Sequence, residues 1–209
     1  MIVKICGIQN KDTLFCCERN NVDFFGMIFY SNSPRNISIE KAREIQELSK
    51  NLNINGVGVF VNSELESVKN VIQNLDLKFI QLHGAEDYQY INDIKKTGVK
   101  IIKNIGIKNK SDLKKIEIYN NADFFLFDYK PEIDELPGGN AKSFDWNILK
   151  SLSIDKPWFL SGGINLKNIE LIKLQIDPFG VDLSSGAEKK LGIKDNQIIN
   201  NFMRKLNYA

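Results

Sequence analysis

The chain has 209 residues, enough for one substantial hydrophobic core, and its 28 basic and 26 acidic side chains leave a formal net charge of only +2. That balance leaves no field strong enough to make nucleic acid or an anionic membrane the main partner, so any anion must be held locally. Three cysteines and the single histidine, His83, match neither a disulfide framework nor a metal-ligand set, so no metal is expected. The Met1–Cys6 opening lacks the succession of a signal peptide, and no apolar run approaches the ~20 residues that cross a bilayer, so the expected setting is cytoplasmic with no membrane partner.

The first predicted element is an apolar strand, Ile2–Cys6, which ends abruptly in Cys6-Gly7 and so places a thiol where strand becomes loop. Cys16 and Cys17 lie in a helical stretch between Leu14 and Arg19 and are read as packing. A second strand, Phe24–Tyr30, leads to a polar loop with Arg35, after which Ser38 opens a helix carrying Ala42, Ile45 and Leu48 on one side. Strand Ile54–Phe60 follows, and Ser63-Glu64-Leu65-Glu66 predicts a capping box ahead of Val68, Val71 and Ile72. Further strands are Phe79–Leu82, Lys100–Asn104 and Phe124–Asp128, with Asp145 or Ser143 starting a helix through Trp146 and Leu149. Trp158–Ser161 and Gly180–Leu183 complete the strands; Asn165 is the expected cap of a helix through Ile169 and Ile172, and Asp195 starts the last helix, with Ile198, Ile199 and Phe202.

Eight short apolar runs alternating with amphipathic ones predict an α/β protein, a single (β/α)8 TIM barrel over residues 1–209 in one domain. The alternative, an open doubly wound sheet, normally stops at five or six strands. In such a barrel chemistry sits at the carboxyl ends of the strands. Ser161-Gly162-Gly163 and Ser184-Ser185-Gly186 follow strands seven and eight, where backbone N–H groups commonly hold a phosphate. Arg35 has the planar fork to pair with a carboxylate, although a solvated loop arginine is the simpler reading of that residue alone. His83 ends strand four and is as well suited to orient a neighbour as to bind substrate. Asp128 ends a buried strand, where desolvation would raise its pKa and suit a general acid. A phosphorylated sugar held by the two glycine loops would lie between Asp128 and Cys6, an arrangement for moving protons with neither metal nor cofactor.

Taken together and in order, Lys4-Ile5-Cys6-Gly7-Ile8, Ser33-Pro34-Arg35 with Ile37-Ser38, Val57–Asn62, Gln81-Leu82-His83-Gly84, Asp128, Gly138-Gly139 with Phe144-Asp145-Trp146, Ser161-Gly162-Gly163, and Val181-Asp182-Leu183-Ser184-Ser185-Gly186 resemble the phosphoribosylanthranilate isomerase family of the tryptophan pathway. The resemblance implies a cofactor-free Amadori rearrangement of a phosphorylated small molecule. It implies Asp128 as general acid on the furanose ring oxygen and Cys6 as the base that takes a proton from the adjacent sugar carbon. It also implies substrate-binding positions at Lys4, Arg35, His83, Gly162, Gly163, Asp182, Ser184, Ser185 and Gly186, in a monomer or homodimer.

One departure from the family pattern falls in loop six, where Asn140-Ala141-Lys142-Ser143 stands in place of a segment with a further glycine. If that position needs positive φ, Ala141 is strained or the loop runs elsewhere. The acidic group Glu132, Asp134 and Glu135 has no functional reading from sequence. Competing readings are another phosphosugar isomerase or epimerase, opposed by the lone histidine and by Cys6, and a catalytically silent phosphosugar-binding barrel, opposed by intact Cys6 and Asp128.

Overall fold

The computed structural model describes residues 1–132, 134–150, 152 and 154–208. Eight parallel strands run in sequence order around a closed barrel: β1 (Ile2–Cys6), β2 (Phe24–Phe29), β3 (Asn55–Phe60), β4 (Phe79–Leu82), β5 (Lys100–Ile107), β6 (Phe124–Tyr129), β7 (Trp158–Leu160) and β8 (Gly180–Leu183). β1 pairs with both β2 and β8, with Lys4 in register with Phe24 on one side and Asp182 on the other, and this double pairing closes the sheet.

The period-two alternation of each strand divides the apolar residues between two cores. Val57, Val59, Ile102, Leu126 and Phe159 fill the barrel with Cys6, while Val3, Ile5, Phe25, Ile80, Ile101, Phe125 and Val181 pack outward into the larger core. Near the strand starts, Phe24 meets Phe79 and Phe159 edge to face, at centroid separations of 5.1 and 6.0 Å. These rings seal the amino end, so only the carboxyl end is left to host a site.

The surrounding helices are α1 (Lys11–Arg19), α2 (Ile39–Ser49), α3 (Leu65–Leu75), α4 (Tyr88–Lys95), α5 (Lys115–Ile118), α6 (Ile169–Gln175) and α7 (Asn196–Tyr208). Ser38 caps α2 through the Lys41 amide, and the Asp195 carboxylate accepts from the amides of Gln197 and Ile198 at the head of α7, both as expected. The capping box at Ser63 does not form, because the first turn of α3 starts at Leu65 and Glu64 holds the cap position without a side-chain bond. Asn165 does not cap α6 either: its side-chain amide donates to the Gly163 carbonyl at 2.7 Å, as does that of Asn168 at 2.9 Å, so both asparagines order the loop after β7. Between β6 and β7 the described residues form a 3-10 turn, Trp146–Leu149, which Asp145 caps by accepting from the Asn147 amide. A short antiparallel hairpin, β9 (Glu188–Lys190) with β10 (Ile193–Lys194), follows β8 and had no sequence signal. Among the described residues no helix is long and apolar enough to cross a membrane.

Candidate active site

Cys6 ends β1 facing the barrel axis, and it has room there because its register partner on β2 is Gly26, where a Cβ would lie 2.7 Å from the sulfur. One pleat below, the Lys4 ammonium donates to both carboxylate oxygens of Asp182 at 3.0 Å, entirely inside the barrel. Burial opposes the charge on Lys4, but Asp182 and Cys6 outweigh it and hold the ammonium pKa above its usual range. Burial pushes the Asp182 carboxyl up, with Lys4 drawing it back. Burial also pushes the Cys6 thiol up, against the pull of Lys4 and Lys194, so the resting side chain is a thiol.

Asp128 ends β6, with one carboxylate oxygen accepting from the Tyr129 amide at 2.7 Å and the other 3.5 Å from His83 Nε2. His83 Nε2 also lies 3.1 Å from the Pro137 carbonyl of loop six, and Gln81 Nε2 donates to His83 Nδ1 at 2.7 Å. With Nδ1 accepting, the proton of a neutral imidazole sits on Nε2, aimed at Asp128 and Pro137. These contacts tie His83 to Gln81, to Asp128 and to the Pro137 carbonyl of loop six.

Arg35 is neither solvated nor reaching freely over the mouth. It is 2% exposed, and its Nε and Nη2 donate to the two oxygens of Glu188 at 2.7 and 2.9 Å. Glu188 also accepts from Lys194 at 2.6 Å, and Lys194 donates onward to the Ser184 carbonyl at 3.1 Å. Burial opposes the Glu188 charge, but Arg35 and Lys194 outweigh it and hold the carboxyl below its ordinary range.

These groups surround a cavity lined by Cys6, Arg35, Gln81, His83, Asp128 and Ser184 among others. A second cavity shares Asp128, Asp182 and Ser184 with it and adds Gly162, Gly163 and Ser185. The backbone N–H groups of Gly162, Gly163, Ser185 and Gly186 make no hydrogen bond among the described residues, which leaves donors for an anion. Lys4 and Gly186 line neither cavity. Lys4 lies beneath the floor, bound to Asp182, and Gly186 is where loop eight crosses loop seven so closely that a Cβ would meet the Ile164 carbonyl at 1.9 Å.

Loop six accommodates its departure from the family pattern by placing Ala141 at φ +56°, two residues after Gly139 at φ +75°. The strain anticipated for an alanine at that position is present. The acidic residues before it brace the loop, Glu132 pairing with Lys108 at 2.7 Å and Glu135 with Lys142.

Sequence reasoning missed Glu188, Lys194, Gln81 and the buried pair Lys103–Glu86. Lys103 donates to the Gly84 carbonyl at 2.6 Å and to Glu86 at 2.7 Å, stiffening the turn that carries His83. Gln81 was within reach, since it precedes His83 by two on a strand and so faces the same way.

A closed (β/α)8 barrel with a thiol, a carboxyl group and a guanidinium around one cavity, and free amides around the next, defines an enzyme that moves protons on an anionic small molecule. Residues 3–205 match the family model described as N-(5'phosphoribosyl)anthranilate (PRA) isomerase, and the chain belongs to that family. A curated relative, the N-(5'-phosphoribosyl)anthranilate isomerase of Paracoccus denitrificans, is 37% identical over 205 residues, covering 96% of this chain and 94% of its own. The crystal structure of phosphoribosyl anthranilate isomerase from Thermotoga maritima superposes with a TM-score of 0.90 at 33% identity over 100% of both chains. A further structure of the isomerase, in complex with reduced 1-(o-carboxyphenylamino)-1-deoxyribulose 5-phosphate, aligns at TM-score 0.87 and 32% identity, again over 100% of both chains. The chain is accordingly an isomerase of tryptophan biosynthesis acting on N-(5'-phosphoribosyl)anthranilate.

Proposed function

We propose that Cys6 and Asp128 divide the Amadori rearrangement between them as base and acid. Asp128 gives its proton to the furanose ring oxygen, the bond from that oxygen to the first sugar carbon breaks, and the nitrogen lone pair forms a cationic imine. Cys6 as thiolate takes the proton from the second carbon, and those electrons neutralise the imine as an enolamine. Proton return to the first carbon, with loss of the hydroxyl proton from the second, yields the ketone. The cationic imine acidifies the departing proton and favours the thiolate, joining Lys4 and Lys194 against the burial that keeps the resting thiol protonated.

In this reading Arg35 meets the anthranilate carboxylate, and the loops holding Gly162, Gly163, Ser184, Ser185 and Gly186 take the phosphate. His83 holds Asp128 in place, while Lys4 and Asp182 support Cys6 from below. The observation that carries the reading is that Cys6, Asp128 and Arg35 line one cavity, adjacent to a second lined by the glycine loops. The whole chain acts as one barrel domain in the cytoplasm, as a monomer or homodimer; one Thermotoga maritima neighbour carries the description of monomers generated from a dimeric isomerase.

Turnover of phosphoribosylanthranilate without added metal, measured for wild type, Cys6→Ala and Asp128→Asn, is the test. Each substitution is expected to lower kcat by about 10²–10⁴-fold while inorganic phosphate still binds. Near-normal turnover in both variants would show the assignment to be wrong.

A further inference from the structure

We propose that Glu188 is the positioning residue that fixes which edge of Arg35 faces the substrate, and that it thereby sets selectivity for an aromatic amine bearing a carboxylate. The inference rests on the reading of Arg35 given above and goes beyond it. A guanidinium has two edges that can grip a carboxylate, one formed by Nε and Nη2 and the other by Nη1 and Nη2. Glu188 occupies the first edge with both oxygens, at 2.7 and 2.9 Å. The remaining nitrogen, Nη1, makes no hydrogen bond among the described residues, while Nη2 adds only a 3.3 Å contact to the Gly139 carbonyl.

Three features keep this orientation. The guanidinium is 2% exposed and has little room to turn. Turning would also strip Glu188 of one of its two cations and leave its buried charge to Lys194 and the Gly192 amide. Gly139 keeps the open edge open, since a Cβ there would stand 2.3 Å from Nη1. The hairpin β9–β10 owes its place to the same network, because it supplies both Glu188 and Lys194. A substrate carboxylate therefore finds Nη1 already aimed, with the ordering of a long side chain completed before binding.

The experiment compares kcat/KM for phosphoribosylanthranilate with kcat/KM for the carboxylate-free analogue made from aniline, in wild type, Arg35→Lys and Glu188→Gln. A glutamine side chain keeps the native shape but brings an NH2 group against a guanidinium or an ammonium, so it cannot accept with both ends. Glu188→Gln is expected to lose at least tenfold more on the carboxylate substrate than on the analogue, with the loss in KM rather than kcat. If Arg35→Lys lowers this selectivity and Glu188→Gln leaves it unchanged, the proposal for Glu188 is overturned while the role of Arg35 stands. If neither variant changes it, the reading of Arg35 fails and takes the proposal with it. Equal losses on both substrates in Glu188→Gln make the residue a structural one and also overturn the proposal. Should the single variant not fold, Glu188→Gln combined with Lys194→Met is compared with Lys194→Met alone, and only the ratio of kcat/KM between the carboxylate substrate and the analogue is read, because Lys194 also acts on Cys6. A ratio at least tenfold lower in the double variant supports the proposal, and an unchanged ratio overturns it.

Discussion

Replacing Lys4 with Met tests how the floor of the site is held together. The ammonium makes two 3.0 Å bonds to Asp182 inside the barrel, with the lysine wholly buried and the aspartate 5% exposed. Removing one partner of such a pair strands the other in a medium that cannot solvate it, and the cost is about 3–5 kcal/mol out of a domain stability of about 5–15 kcal/mol. Removing both, as Lys4→Met with Asp182→Leu, returns apolar surface to an apolar site and is expected to cost far less than the two single changes added together. Urea unfolding followed by the fluorescence of Trp146 and Trp158 gives the three values, and their non-additivity measures the pair. The pH dependence has a definite sign. Without Lys4 the largest pull against the burial that already pushes Asp182 up is gone, so its folded pKa lies further above the unfolded value of about 3.9. A group whose pKa is raised on folding stabilises the protein below its unfolded pKa and loses that contribution as pH climbs through the folded one. The Lys4→Met deficit should therefore be smallest in mild acid and grow toward neutral pH. Single substitutions costing under about 1 kcal/mol, or a double variant that costs their sum, would refute the reasoning.

Two further outcomes follow from backbone geometry. Ala141→Gly relieves a left-handed conformation worth about 1–2 kcal/mol and costs part of that in unfolded-chain entropy, so a net gain of about 0.5–1 kcal/mol, or roughly 1–4 °C in Tm, is expected by calorimetry. Gly26→Ala sets a methyl 2.7 Å from the Cys6 sulfur and 3.1 Å from its Cα, which should displace the thiol; steady-state assays are expected to show a fall in kcat of at least about tenfold, alongside about 1–3 kcal/mol of overpacking strain.

The strands were legible because each is a short apolar run bounded by polar loops, and all eight begin within one residue of where sequence places them. Their count alone located the carboxyl-end rim, and with it Cys6, Asp128 and the two glycine loops. What could not be read were partners far apart in the chain. Arg35 and Glu188 lie 153 residues apart, and nothing in the spacing of either announces the other. The capping errors at Ser63 and Asn165 have a local cause. Both residues have good capping chemistry, but in this fold the main chain turns into helix one or more residues later, and Asn165 is drawn instead to the Gly163 carbonyl. Ala141 shows the reverse case, a strain that could be anticipated from sequence because one residue type tolerates what another does not.

The staples that join the early strands to the end of the chain bear on how the protein comes into being. Lys4 finds Asp182 across 178 residues of sequence, and Arg35 waits for Glu188. A ribosome adding about 5–20 residues per second delivers the first of each pair roughly 8–36 seconds before the second. During that interval the nascent chain carries a lysine and an arginine destined for burial but still hydrated, and the cavity around Cys6 has no eighth wall. Catalytic competence is thus among the last properties the growing polypeptide acquires, and a chain released early would lack the site as well as its final strand.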